Sequence, residues 1–336
     1  MPVLDLNDQK AVERYNKFMR QSPYGHITQD LNWAKVKNNW EPLDVYLEDE
    51  HGEIKAAMSI LLTDTKTGKK FAYASKGPVL DLNDLDTLDA LVAEAVDALD
   101  GRAYVLRMDP EADYSDEFNE ALQAHGYVTL NRNVADEGMH ATIQPRLNMV
   151  LDLTQFPDAK ESFDLYKSKK RNKFRRPFRD GVEVTSGNTK VELEKFYTTY
   201  KTMAHRHEIT YRPFEYFERM QAAFDDDTMQ IFVAEREGEL LATGIALKYG
   251  KKVWYMYGGS MNGNTYFAPY ALQLTMIQWT MDSGCELYDL GGIGEASTED
   301  GLYHFKHEFV RTDPVEYIGE IDKVLDQSAY DELVSD

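Results

Sequence analysis

Two stretches of the chain alternate apolar and polar positions in the same way. Residues 44–62 read as strand, turn at Gly52, strand, and residues 230–248 repeat that order around Gly238 almost position for position. A turn with paired lysines follows each hairpin, Lys69-Lys70 or Lys251-Lys252, and then an aromatic strand, 71–73 or 253–255. The next segment of each copy has helical spacing. In residues 85–99 the apolar face is Leu88, Leu91, Val92, Ala95 and Leu99, and in residues 270–281 it includes Leu274, Ile277 and Met281. Asp-Gly or Ser-Gly then leads into a further strand, 102–108 or 286–290. Helices are also predicted ahead of the hairpins, over 8–20 in the first copy and over 193–205 and 213–224 in the second.

The copies are offset by roughly 185 residues, too far for a solenoid and suited to a duplicated domain. Helices, antiparallel hairpin, strand, helix, strand is the order of a GNAT-like acyltransferase domain. The expectation is therefore an α/β (α+β) chain of two tandem GNAT-like domains with an interdomain cleft. The first spans 1–145 and is completed by the tail 315–336; the second spans 146–314. A chain of 336 residues can bury two cores.

Composition narrows the function. No run of about 18 apolar residues occurs, and the start MPVLDLNDQK lacks the basic-then-apolar layout of a signal peptide, so a cytoplasmic protein without membrane insertion is expected. The single cysteine, Cys285, reads as a turn residue entering a buried strand. His205 and His207 fall on different helix faces, and no Gly-x-Ser-x-Gly elbow is present, so neither a metal centre nor a nucleophilic triad is expected. The net charge of −21 repels a polyanion at long range. Against that field, eight of the thirteen residues 167–179 are Lys or Arg, including Lys170, Arg171 and Arg175. The run is either a solvated helix face or a local nucleic-acid contact.

Five motifs carry a resemblance: SPYGHITQDLNWAKVK at 22–37, the basic run 167–179, Tyr211-Arg212-Pro213, YDLGG at 288–292 and YHFKHEF at 303–309. Together they resemble the Fem-type (FemABX) peptidyltransferases over the whole chain, in particular the shorter FemX type that lacks a long helical arm. The resemblance implies transfer of an amino acid, alanine before serine or glycine, from aminoacyl-tRNA to the ε-amine of the stem-peptide lysine of UDP-MurNAc-pentapeptide. That step starts the peptidoglycan interpeptide bridge. It requires no cofactor, neither acetyl-CoA nor ATP, since the tRNA ester is already activated. A monomer is expected.

Such chemistry must present a lysine amine in neutral form, which costs about 4 kcal/mol near neutral pH unless the site helps. Asp109, at the end of the strand before Pro110, is implied to lie at this amine, either as base or as its orienting group while a substrate carboxylate takes the proton. Attack on the ester creates an oxyanion, for which Lys306 is the candidate cation, beside Phe305 as a platform for the terminal adenine. Both are also compatible with an ordinary strand. Lys37 and Arg212 match the family positions for the diphosphate. Tyr104, Tyr216, Tyr255 and Tyr257 are candidates for lining the groove, with core packing as the competing role. Two rivals remain: an acetyl-CoA-dependent GNAT N-acetyltransferase, whose pyrophosphate loop has no counterpart in residues 258–270, and a noncatalytic tRNA-binding module.

Overall fold

Strand β2 (Ile54–Asp64) is buried at seven consecutive positions, 56–62, because helices cover both of its faces. The computed structural model describes residues 3–134, 139, 141–156, 168–263 and 266–334, without the side chains of 168–171 and 334. On one face lies α1 (Gln9–Gln21), which contributes the fully buried Tyr15 and Met19. On the other lies α3 (Leu85–Leu99), whose Leu88, Leu91, Val92, Ala95 and Leu99 meet Met58, Ile60 and Leu62 in one core. Asp84 starts α3 by accepting the Thr87 amide at 3.0 Å, and left-handed Asp100 ends it.

The chain divides into two compact units, Met1–Met149 with Gly292–Asp336, and Val150–Gly291. The boundary differs from the expected one at 145/146, and the return comes earlier than 315. Residues 292–314 cluster with the first unit. The chain leaves the first unit within β6 (Leu147–Asp152) and re-enters it within β11 (Leu287–Ile293).

In the first unit, β1 (Glu41–Glu48), β2, β3 (Lys70–Ala74) and β4 (Ala103–Met108) lie side by side. In the C-terminal segment β12 (Val315–Glu316) is followed by β13 (Glu320–Val324), which inserts between β4 and β5 (Val128–Leu130). Only β3 and β4 run parallel among these pairs. Helix α2 (Trp33–Val36) precedes β1, α4 (Asp116–Ala124) precedes β5, and α9 (Gly301–Val310) and α10 (Gln327–Val334) belong to the C-terminal segment.

The second unit repeats the plan. The hairpin β8 (Met229–Arg236) and β9 (Glu239–Tyr249) pairs through β9 with β10 (Lys252–Ser260), which runs parallel to β11. Strand β7 (Glu183–Gly187) adds beside β8. Helix α8 (Ala268–Asp282) covers one face of this sheet and α6 (Lys190–Arg206) the other, with α7 (Phe214–Ala223) after α6 and α5 (Ser168–Arg179) before β7. The parallel pair flanked by an antiparallel hairpin therefore occurs twice, as the duplicated pattern requires.

A bulge in β10 decides where two tyrosines go. Tyr255 pairs with Ala246 but Tyr257 pairs with Ile245, which leaves Met256 as the extra residue. Residues two apart normally share a face. Here Tyr255 lies over Gly244 and Gly258 on the side of Met276 and Leu272 from α8, while Tyr257 turns toward Tyr200 of α6 and Phe217 of α7. A Cβ on Gly258 would sit 1.7 Å from the Tyr255 hydroxyl oxygen. Gly258→Ala is expected to cost about 1–3 kcal/mol through overpacking, read as a lower urea midpoint; an unchanged midpoint would show that Tyr255 is free to swing away.

Candidate active site

Asp109 follows β4 and is buried to 3% exposure. Its carboxylate accepts two hydrogen bonds, from the Tyr73 hydroxyl at 2.6 Å and from the Lys76 main-chain N–H at 2.5 Å. Burial pushes the Asp109 carboxyl above the ordinary aspartate range, and the Lys76 charge, the Tyr73 hydroxyl and the Lys76 amide pull it partly back. Burial and the Asp109 charge in turn push the Tyr73 phenol up, so it remains a donor. The result is an oriented carboxylate that binds a proton more readily than an exposed aspartate does.

The turn that carries Lys76 is held by the segment 26–29. The Thr28 hydroxyl and the Gln29 amide both donate to the Ser75 carbonyl, at 2.7 and 2.9 Å. Gln29 also donates to the Ser59 carbonyl and accepts from the Ser59 amide, so its side chain bridges β2 and the turn. A Cβ on Gly77 would lie 2.5 Å from that Gln29 side chain, so only glycine lets the two approach. Lys76 itself has a left-handed φ of 55°.

Beside Asp109, Arg107 of β4 is shared by two buried carboxylates. It forks onto Asp322 with 2.7 and 2.6 Å bonds and meets Glu320 at 2.7 Å. One guanidinium cannot neutralise both in a buried setting. Burial, aided by the Asp322 and Asp109 charges, pushes Glu320 up to about 7 against the opposing effects of Arg107 and the Ile143 amide.

Lys306 lies on a helix, not the strand that a Phe-Lys pair suggested. Asp300 caps α9 by accepting the Leu302 and Tyr303 amides at 2.7 and 3.2 Å. Lys306 is buried to 6% exposure, and its ammonium donates to the Gly292 carbonyl at 2.6 Å. Phe305 is half-buried and packs edge-on against Phe309 at 5.3 Å. Lys37 follows α2, half-buried, with its ammonium 5.8 Å from the Trp40 ring. Tyr104 is buried against Tyr330 of α10 and Phe71 of β3, at ring separations of 6.3 and 6.1 Å.

The second unit gathers Arg212, Tyr216 and Tyr257. The Arg212 guanidinium lies 5.4 Å from the Tyr216 ring, and the Tyr216 and Tyr257 hydroxyls are 3.2 Å apart. Tyr200, Phe196 and Phe217 pack behind them with edge-on contacts of about 5–6 Å. Tyr255 is on the opposite face of the sheet and does not join them. Of the basic run, residue 167 lies outside the described residues, as do the side chains of Lys170 and Arg171. Arg175 is exposed on α5, and the helix is seated by Phe174 against Tyr270 and by Lys173 and Arg176 over Tyr270 and Phe267, at 4.7 and 4.8 Å.

The FemAB family model matches residues 11–239 and 232–333, which together span most of the chain. The chain belongs to the FemAB family. It is 73% identical, over the full length of both proteins, to the UDP-N-acetylmuramoylpentapeptide-lysine N(6)-alanyltransferase of Weissella viridescens. Among solved structures it is similar to FemX, with a TM-score of 0.86 at 20% identity and full coverage of both chains. A tandem GNAT protein from the clavulanic acid biosynthesis pathway matches at a TM-score of 0.56 and 10% identity, covering 96% of this chain and 97% of that one. These two likenesses speak for the fold.

In this FemAB chain the groups around Asp109 were the ones that motif reading passed over. Thr28 and Gln29 stand inside the 22–37 motif, where their small polar side chains gave a signal that was spent on Lys37 alone. Tyr73, Lys76, Arg107, Glu320 and Asp322 had no motif to mark them.

The Glu320 setting carries a pH sign. Its folded value of about 7 exceeds the ordinary 4.5, so the stability it contributes is complete below about 4.5 and is lost as pH rises through 7. Urea unfolding should show wild type losing on the order of 3 kcal/mol or less between pH 4.5 and 8, relative to Glu320→Gln over the same range. Parallel curves for the two proteins would contradict that setting.

Proposed function

We propose that this chain transfers alanine from aminoacyl-tRNA to the ε-amine of the stem-peptide lysine of UDP-MurNAc-pentapeptide. What carries the reading is the 73% identity along the whole length of the Weissella viridescens alanyltransferase. No described helix is long and apolar enough to cross a membrane. We take the enzyme to be a cytoplasmic monomer that uses neither acetyl-CoA nor ATP.

In this reading Asp109 receives the acceptor ammonium. A buried carboxylate with a raised affinity for protons takes a proton from an amine better than an exposed one does, and leaves the amine with a lone pair for attack on the ester carbonyl. The tetrahedral oxyanion then collapses and the bond to the ribose oxygen breaks, the attacking nitrogen giving up a further proton to that oxygen so that an amide and a free tRNA hydroxyl are left. Lys306 supplies positive charge to the oxyanion or the departing oxygen, with Phe305 stacking on the terminal adenine. Lys37 and Arg212 supply the cations for the diphosphate, and Tyr216 and Tyr257, beside Arg212 in the second unit, contact the sugar and peptide. The exposed cations of α5 bind the tRNA backbone.

The test is transfer of labelled alanine from alanyl-tRNA to UDP-MurNAc-pentapeptide, run beside labelled acetyl-CoA with the same acceptor. Product from the charged tRNA alone is expected, and product from acetyl-CoA alone would overturn the reading.

Variants separate the roles. Lys306→Met should lower turnover by about 10² to 10³ while leaving binding of the sugar nucleotide near wild type. Because Lys306 is buried and bonded to Gly292, it should also cost about 1–3 kcal/mol of stability by leaving that carbonyl short of a donor. A stable variant with wild-type single-turnover rate would remove Lys306 from the chemistry. Replacing Lys170, Arg171 and Arg175 together by alanine should weaken tRNA binding and flatten its salt dependence by roughly one unit of slope per lost phosphate contact, with affinity for the sugar nucleotide unchanged. Unaltered tRNA affinity at low salt would make the run a solvated face.

A further inference from the structure

Lys76 is a buried cation that no motif marks. Its residue is 8% exposed, and its ammonium lies 5.3 Å from the Tyr317 ring. Among the described residues that ammonium has no hydrogen-bond acceptor and no carboxylate within 4.0 Å. A lysine rarely stays buried without an acceptor, because desolvating an ammonium is costly unless a charge or bound group compensates. The Tyr317 ring face offsets part of that cost. The backbone adds to it, since a left-handed φ of 55° at a non-glycine residue is itself unfavourable. Both costs are borne at the residue whose amide holds the Asp109 carboxylate at 2.5 Å.

We propose that Lys76 is a positioning residue for Asp109: its main-chain N–H fixes one carboxylate oxygen, and its buried ammonium supplies the charge that keeps that carboxylate ionised until the acceptor amine arrives. The inference rests on the reading of Asp109 as the group that meets the amine. Lys76 does this from one side of a crowded set. Tyr73 of β3 donates to the other oxygen of Asp109, Arg107 of β4 is committed mainly to Asp322, and Glu320 of β13 adds a like charge. Burial of Asp109 raises its proton affinity, and Lys76 is the largest influence in the opposite direction. Without Lys76 the carboxylate would hold its own proton more readily still and would be less free to take one from the amine. With Arg107 already shared between two carboxylates, no other cation in the set is available to Asp109 alone.

The test uses the full chain with Lys76→Met and Lys76→Arg, and reads kcat/KM for UDP-MurNAc-pentapeptide from pH 5.5 to 9. The methionine variant should move the acidic limb up by about one pH unit, which is about a tenfold loss on that side of the profile. The arginine variant should bring the limb back toward wild type, and KM for alanyl-tRNA should not change. An isotope-edited infrared titration of the Asp109 carboxylate band follows the same midpoint without any turnover, and should also move up in Lys76→Met. If the methionine side chain prevents folding, Lys76→Gln carries the same comparison with a neutral polar side chain. A folded neutral variant with the wild-type limb and the wild-type Asp109 midpoint would overturn the inference. Asp109→Asn separates the two layers. If it keeps full activity, the reading of Asp109 fails whatever Lys76 does; if it loses activity while Lys76→Met keeps the wild-type profile, only the role of Lys76 falls.

Discussion

The burial of one carboxylate, that of Asp109, organises much of the first unit. A buried carboxylate without donors would be strongly disfavoured, and the fold supplies two, from a strand and from a turn. Supplying the second requires the 75–78 turn to keep its shape, which in turn requires Thr28 and Gln29 to hold the Ser75 carbonyl and Gly77 to admit the Gln29 side chain. Thr28 and Gln29 are buried for that reason, although neither side chain is of a type that suits a core. The insertion of β13 next to β4 has an electrostatic side as well. It brings Glu320 and Asp322 to Arg107, so the cation nearest Asp109 along β4 is occupied.

The second unit uses the same strand plan for a different surface. Its polar aromatic groups, Arg212, Tyr216 and Tyr257, stand on the α6 and α7 side of the sheet, backed by close-packed rings. One extra residue in β10 sends Tyr257 there and Tyr255 to the other side. Close approach on both faces is made possible by small residues. Gly259 admits the α6 backbone at Thr199, and Gly244 with Gly258 admits the Tyr255 ring. Duplicated architecture has thus left unlike surfaces on the two copies.

Much of the architecture was legible because it depends on local periodicity. The hairpins declared themselves by alternation about Gly52 and Gly238, and α3 by five apolar residues at helical spacing, all of which are in the core. The end of the chain was harder. Residues 303–309 are rich in aromatics and read equally well as strand, and the decision for helix is made by the Asp300 cap, whose effect depends on backbone geometry. Similarly, Tyr255 and Tyr257 look equivalent until the bulge between them is known, and the ring contact of Tyr104 with Tyr330 joins residues too distant in sequence to be read from it. Lys76 was invisible for a comparable reason. A lysine between Ser75 and Gly77 resembles any exposed turn residue, whereas its turn is held by Thr28 and Gln29 and its ammonium lies by Tyr317, all distant in sequence.

A buried, doubly hydrogen-bonded carboxylate that still binds protons more readily than an ordinary aspartate is the claim on which the chemistry stands. Its most direct measurement is a carboxyl 13C NMR titration of aspartate-labelled wild-type protein, with the Asp109 resonance assigned by its loss in Asp109→Asn. The account predicts a midpoint above the ordinary aspartate value of about 3.9. A midpoint at or below that value would contradict it, because Asp109 would then be a fixed anion with little tendency to accept a proton from an amine.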